Sequence, residues 1–124
     1  MNLVVCDDEY FLSSALRIAF RGHDVHLCST GVEAIEWLKT HTPDALLLDI
    51  HMPLKSGVDV LKESTYKGRV IILTNFGIEE ATKMLNGLTY EVILNKANTT
   101  IAEIKKVVLS KQHSDIMPAT GESE

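Results

Sequence analysis

The chain has little that would place it in a membrane, a secreted scaffold or a nucleic-acid complex. Its apolar runs are short, of which Ala45–Leu48 and Val70–Leu73 are typical, against the roughly 20 residues a bilayer-spanning helix needs. The first residues carry no basic stretch, and the apolar segment Leu3–Cys6 runs into three acids, which argues against a secretory signal. There are two cysteines, Cys6 and Cys28, each in an apolar setting. Two such residues do not make a disulfide framework, and they read as reduced, buried thiols of a cytoplasmic protein. The five histidines show no ligand spacing with them, so a zinc site is not expected. Positive charge is in the minority: 12 Lys and Arg stand against 17 Asp and Glu, a net of −5. A nucleic-acid binder normally shows a basic face, so neither nucleic acid nor membrane is expected as a direct partner.

What is present suits a small soluble domain. With 124 residues, 45% of them hydrophobic and 23% charged, the chain has length for one domain and no second. Five short apolar segments recur every 20 to 24 residues: Asn2–Cys6, Val25–Cys28, Ala45–Asp49, Arg69–Thr74 and Val92–Asn95. Between them apolar residues repeat at helical spacing. The first helix aligns Leu12, Ala15, Leu16 and Ala19, and the second Gly31, Ala34, Ile35 and Leu38. The third is short and carries Val58 and Leu61, with Val60 less clearly placed. The fourth aligns Ile78, Ala81, Leu85 and Leu88, and the fifth Ile101, Ile104, Val107 and Val108. Thr30-x-x-Glu33 and Thr100-x-x-Glu103 read as capping boxes.

Strand and helix thus alternate five times, which implies an α/β fold with a parallel sheet covered on both faces. Leu3–Cys6, Leu46–Leu48 and Val70–Leu73 are apolar at every residue, as buried parallel strands should be, whereas Val25–Cys28 alternates and suits an edge. The expected arrangement is a flavodoxin-like (βα)5 doubly wound sheet in the order 2-1-3-4-5. Residues 1–110 form the domain in this reading. Residues 111–124 lose the helical pattern and read as a flexible tail.

Binding in such a sheet takes place beyond the carboxyl ends of the strands. The first strand ends in Asp7-Asp8-Glu9, the third in Asp49, the fourth in Thr74-Asn75 and the fifth in Asn95-Lys96. Strands 1, 3 and 4 are neighbours in the expected order, so these groups converge. Asp7, Asp8 and Asp49 together carry −3 and Lys96 returns +1, which leaves room for a divalent cation. Oxygen donors without Cys or His favour a hard ion, Mg²⁺, Mn²⁺ or Ca²⁺, of which Mg²⁺ commonly binds beside a phosphate. A nucleophilic Asp49 beside such an ion, with Lys96 and Thr74 on the phosphoryl oxygens, points to phosphoryl chemistry.

These residues resemble the receiver domain of two-component response regulators. The resemblance spans roughly residues 1–109 and rests on Val5-Cys6-Asp7-Asp8-Glu9, Gly31-x-x-Ala34-Ile35, Pro43-Asp44-x-Leu46-Leu47-Leu48-Asp49-Ile50-His51-Met52-Pro53, Gly57, Ile72-Leu73-Thr74-Asn75 and Lys96. It implies that Asp49 is the phosphoacceptor. It further implies that Asp7, Asp8, Asp49 and the backbone carbonyl of His51 hold Mg²⁺, with Asp8 a direct ligand, and that Thr74 and Lys96 contact the phosphoryl group. The donor would be a sensor histidine kinase or a histidine phosphotransfer protein. With no output domain following, a stand-alone receiver would signal by contact with a downstream protein. The family's usual output face, helix 4, strand 5 and helix 5, would carry Glu79, Glu80, Lys83, Glu91 and Lys105. Such a protein is a phosphoacceptor rather than an enzyme acting on separate substrates, although it can catalyse its own phosphorylation and dephosphorylation.

Several positions depart from the family pattern. Ile93 stands where Tyr or Phe usually does, which puts the Thr–aromatic switch in doubt. Ala97 replaces the proline after the lysine, and Asn75 replaces a small residue after the threonine. His51 and Phe76 are bulky where attacking water must pass, which predicts slow loss of phosphate. Two other readings stand beside this one. A receiver-like interaction module would work without phosphorylation. A metal-dependent phosphatase with an aspartate nucleophile would want a second Asp two residues after Asp49, where this chain has His51.

Overall fold

A computed structural model describes residues 1–110; the expected tail, residues 111–124, lies outside the described residues. Five strands, β1 (Asn2–Cys6), β2 (Asp24–Cys28), β3 (Ala45–Asp49), β4 (Arg69–Thr74) and β5 (Val92–Asn95), alternate with five helices. The helices are α1 (Tyr10–Ala19), α2 (Gly31–Leu38), α3 (Gly57–Glu63), α4 (Ile78–Met84) and α5 (Ile101–Leu109), and a 3₁₀ turn spans Lys96–Asn98. All strand pairs are parallel and their order is 2-1-3-4-5, as expected.

Side chains alternate across each strand, so one sheet feeds two cores. Val4, Cys6, Leu46, Leu48, Val70 and Ile72 face α2, α3 and α4, where Ala34, Leu38, Val60, Ala81 and Leu85 are buried. Leu3, Val5, Ala45, Leu47, Ile71 and Leu73 face Leu16 and Phe20 at α1 and Ile104 and Val108 of α5. A fully buried Leu or Ile stabilises such a layer by about 1.5–3 kcal/mol.

The helices follow their apolar spacing with three differences. Val60, the least certain of the third group, is the fully buried one, while Val58 and Leu61 only pack at its margin. Ile78 does not join the core: α4 begins there with the residue 49% exposed, and at its other end Leu85 is the C-cap and Leu88 lies beyond the helix. In α1 the most buried polar residue is Ser13, whose hydroxyl donates to the Asp7 carbonyl at 3.4 Å. Thr100 and Glu103 form the complete capping box. Thr30 accepts from the Glu33 N–H, but Glu33 reaches back one residue further, to the Ser29 N–H. A capping box also forms between Ser56 and Asp59, at the start of the short α3.

Register places the polar strand ends. Cys6 lies opposite Leu48, so Asp7 and Asp49 are the next residues along neighbouring strands. Asp49 lies opposite Leu73 and Thr74 opposite Asn95, which brings Thr74 and Lys96 to the same rim. No helix among the described residues is long and apolar enough to cross a membrane.

Candidate functional site

Three carboxylates meet at the carboxyl-end rim. Asp7, Asp8 and Asp49 each offer an oxygen, and these oxygens lie within 4.8 Å of one another. Asp7 and Asp49 are buried, whereas Asp8 is exposed. Lys96 reaches over them with only 7% of its side chain exposed. Its Nζ is 2.7 Å from Asp7 Oδ2 and 3.2 Å from Asp49 Oδ2. Among the described residues this Lys96 contact is all that meets the buried Asp7 Oδ2. Asp7 Oδ1 accepts from the Glu9 N–H at 2.8 Å.

The electrostatics follow from burial. Desolvation raises the Asp49 pKa to about 6, and the Asp7 charge adds to the rise while Lys96 opposes it. Desolvation also lifts Asp7 above its ordinary value, again against Lys96. Burial works against the Lys96 ammonium, but its Asp7 and Asp49 partners outweigh it and the net shift is upward. The group is thus a cluster of acids with too little positive charge. A buried Asp7 oxygen met by a single ammonium and an all-oxygen donor set fit a small hard cation.

The loop after β3 is fixed by backbone contacts. The Gly31 and Val32 N–H groups at the start of α2 donate to the carbonyls of Pro53 and Leu54. A Cβ on Gly31 would overlap the Lys55 carbonyl, and one on Gly57 would overlap the carbonyl of Asp49 itself. Leu54 and Lys55, at φ 49° and 81°, take the left-handed conformation that lets the loop turn there. His51 is exposed, and its backbone N–H donates to Asp49 Oδ1 at 3.4 Å. Thr74 is fully buried, and its Oγ1 accepts from the Phe76 N–H at 3.0 Å. Asp8, Glu9, Asp49, His51, Thr74, Asn75 and Phe76 line a cavity of about 350 Å³.

All six residues expected at the site are therefore near one another. Two contributors were not assigned a role from sequence. Glu9 Oε1 accepts from Lys96 Nζ at 3.1 Å, and Asn75 Nδ2 donates to Glu9 Oε2 at 3.2 Å. The available signals were the third acid of Asp7-Asp8-Glu9 and the unusual size of Asn75. On the side away from the pocket, Glu91 is not a free surface charge: it is paired with Arg69 at 2.7 Å and mostly buried.

The family model of the response regulator receiver domain matches residues 3–109. The chain belongs to that family. Phosphorylation and Mg²⁺ binding are generic to receiver domains. Among curated relatives, the response regulator MprA of Mycobacterium avium (strain 104) is 34% identical over 79 residues, covering 60% of this chain and 35% of that protein. The transcriptional regulatory protein HptR of Staphylococcus aureus (strain NCTC 8325 / PS 47) is 31% identical over 98 residues, covering 74% and 38%. The chain thus spans little more than a third of the length of these relatives. Solved receiver domains share the fold. That of the Francisella response regulator 1452 superposes with a TM-score of 0.75 at 24% identity, covering 86% of this chain and 92% of that one. A CheY-like receiver from Methanospirillum hungatei JF-1 gives 0.77 at 15% identity, covering 86% and 89%. The receiver domain of a sensor histidine kinase from Pseudomonas aeruginosa PAO1, which holds a magnesium ion in its active-site cleft, gives 0.75 at 18%, covering 86% and 93%.

Proposed function

We propose that this receiver accepts a phosphoryl group on Asp49 from the phosphohistidine of a sensor histidine kinase or histidine phosphotransfer protein. The observation that supports this most is the pairing of a buried Asp49 with Lys96 in a pocket of excess carboxylates. With its pKa at about 6, Asp49 is mostly ionised at neutral pH and available as a nucleophile. An Asp49 oxygen bonds to phosphorus as the phosphorus–nitrogen bond breaks, and the electron pair of that bond returns to the imidazole. Asp7, Asp8, Asp49 and the His51 carbonyl would hold Mg²⁺ (or Mn²⁺). The ion supplies positive charge against the phosphoryl oxygens when bound. Lys96 contacts one phosphoryl oxygen, and the Thr74 hydroxyl donates to another after leaving its present surroundings. Most of the rate comes from positioning and charge, because the transfer needs little acid–base help.

The signal passes to a cytoplasmic downstream protein by surface contact. Residues 1–110 act as the receiver unit and 111–124 as its tail. The route to the surface differs from a Thr–aromatic switch, since Ile93 is a half-buried aliphatic residue packed on the same core as Phe76. Intact-mass measurement after treatment with a small phosphodonor tests the central step. Wild type should gain one phosphoryl mass only with Mg²⁺, and Asp49→Ala should gain none. A wild type that gains no mass would instead favour an interaction module that works without phosphorylation. If phosphate is held, the bulky His51 and Phe76 should slow its loss. A His51→Asn, Phe76→Ala double variant should lose it faster, as read by the decay of the same mass.

A further inference from the structure

Lys96 is surrounded by more carboxylate than its charge can balance. Asp7, Glu9 and Asp49 stand 2.7, 3.1 and 3.2 Å from its Nζ. Asp7 and Asp49 are buried parts of the pocket, while the Glu9 side chain is 48% exposed. Glu9 occupies the N-cap position of α1, yet its carboxylate makes no cap bond to the helix. It extends across the pocket mouth instead, with one oxygen on Lys96 and the other on the Asn75 amide. This bridges the loops after β1 and β4, on either side of the cavity that Asp49 lines.

We propose that Glu9 is a displaceable anion, latched by Asn75, that holds Lys96 until a phosphoryl group on Asp49 takes its place. The proposal rests on the reading of Asp49 as phosphoacceptor. A phosphoryl group carries close to two negative charges at neutral pH and three strong acceptor oxygens. For Lys96 to meet it, one carboxylate must let go. Asp7 is a poor choice, because its side chain is only 1% exposed and water cannot replace the lysine at its buried oxygen. Glu9 is the better choice, because water replaces the lysine at its half-exposed carboxylate. Asn75 sets how readily this happens: while its amide grips Oε2, release breaks two contacts rather than one. Glu9 and Asn75 are positioning residues in this account. They raise the threshold for anion entry, so that a highly charged tetrahedral group displaces Glu9 and a weaker anion does not.

Calorimetric titration with beryllofluoride, a phosphoryl mimic, at saturating Mg²⁺ tests the latch. Asn75→Ala should tighten binding by about two- to fivefold, the range expected for loss of one partly exposed polar contact competing with the ligand. Glu9→Gln should tighten it at least as much, and Glu36→Gln on the remote surface should change nothing. Asn75→Ala decides the matter because it alters no charge, so a gain there cannot come from a less negative pocket. Unchanged or weaker binding in Asn75→Ala overturns the latch, even if Glu9→Gln binds better. The Asn75 side-chain amide gives a second readout in metal-free, nitrogen-15-labelled protein: its resonances should move in Glu9→Gln, and their failure to move rejects the contact. Wild-type binding that is absent, or that survives Asp49→Ala, rejects the phosphoacceptor reading and the latch with it. Binding that needs Asp49 but ignores Asn75 rejects the latch alone.

Discussion

The two rims of the sheet treat charge in opposite ways. At the carboxyl-end rim four acids, Asp7, Asp8, Glu9 and Asp49, lie together, and three of them, Asp7, Glu9 and Asp49, share one lysine. At the amino-end rim the polar groups are matched. Arg69 forms two bonds with Glu91, at 2.7 and 3.0 Å, and donates to the carbonyls of Val107 and Val108 at the end of α5. The Tyr66 hydroxyl lies 3.0 and 3.2 Å from the carbonyls of Pro43 and Arg69, and the Asn2 N–H donates to Asp44. One rim holds the fold closed, and the other is destabilised by groups held ready for something else. This is the division expected when a functional site is supported by a rigid scaffold.

The sharpest way to break this contrast is at Arg69. Arg69→Ala leaves a mostly buried Glu91 unpaired and uncaps α5, and should cost about 3 kcal/mol in urea unfolding at neutral pH. The opposite rim should respond with the opposite sign. Asp49→Asn removes a carboxylate whose folded pKa of about 6 lies above its ordinary 3.8. Because the folded chain holds that proton more tightly, ionisation of Asp49 destabilises the fold. The gain from asparagine should therefore be present above about pH 6, at about 3 kcal/mol, and disappear below about pH 4. Thermal unfolding across that range in the presence of a chelator reads it directly.

A smaller effect should come from the cation itself. Mg²⁺ at ten times its dissociation constant should stabilise wild type by about 1.4 kcal/mol, and Asp8→Asn should blunt the gain. Equal stabilisation of both proteins would detach the ion from this pocket. The smallest change is at Tyr66, where phenylalanine keeps the packing and loses the hydroxyl contacts. It should cost about 1 kcal/mol in the same urea assay. A loss at Tyr66 as large as that at Arg69 would show that the amino-end rim depends on this tyrosine as much as on the ion pair.

The fold was legible because the information lies in period and spacing. The all-apolar strands Leu3–Cys6, Leu46–Leu48 and Val70–Leu73 require cover on both faces, and both cores are present. The convergence of Asp7, Asp8, Asp49, Thr74 and Lys96 followed from topology, since each ends a parallel strand or directly follows one. What sequence did not show is which charge each group meets. Glu9 read as the last of three acids that end the first strand, and only the placement of Asn75, 66 residues away, shows where its carboxylate goes. Glu91 read as a surface charge for the same reason, because Arg69 lies 22 residues away on another strand. Ile78 shows a different limit, for helical spacing does not reveal that the first turn of α4 stands clear of the sheet.

The protein's single tryptophan sits at the quiet rim. Trp37 is stacked between two imidazoles, His26 at 4.6 Å and His41 at 4.1 Å, with all three rings nearly parallel. Any light it emits is subject to quenching by its two neighbours. Its emission will therefore follow the stacking of that triple layer, on the side of the molecule away from the pocket. Intrinsic fluorescence will serve as a sensor of the scaffold, and an optical assay of the pocket will need a probe introduced at the other end.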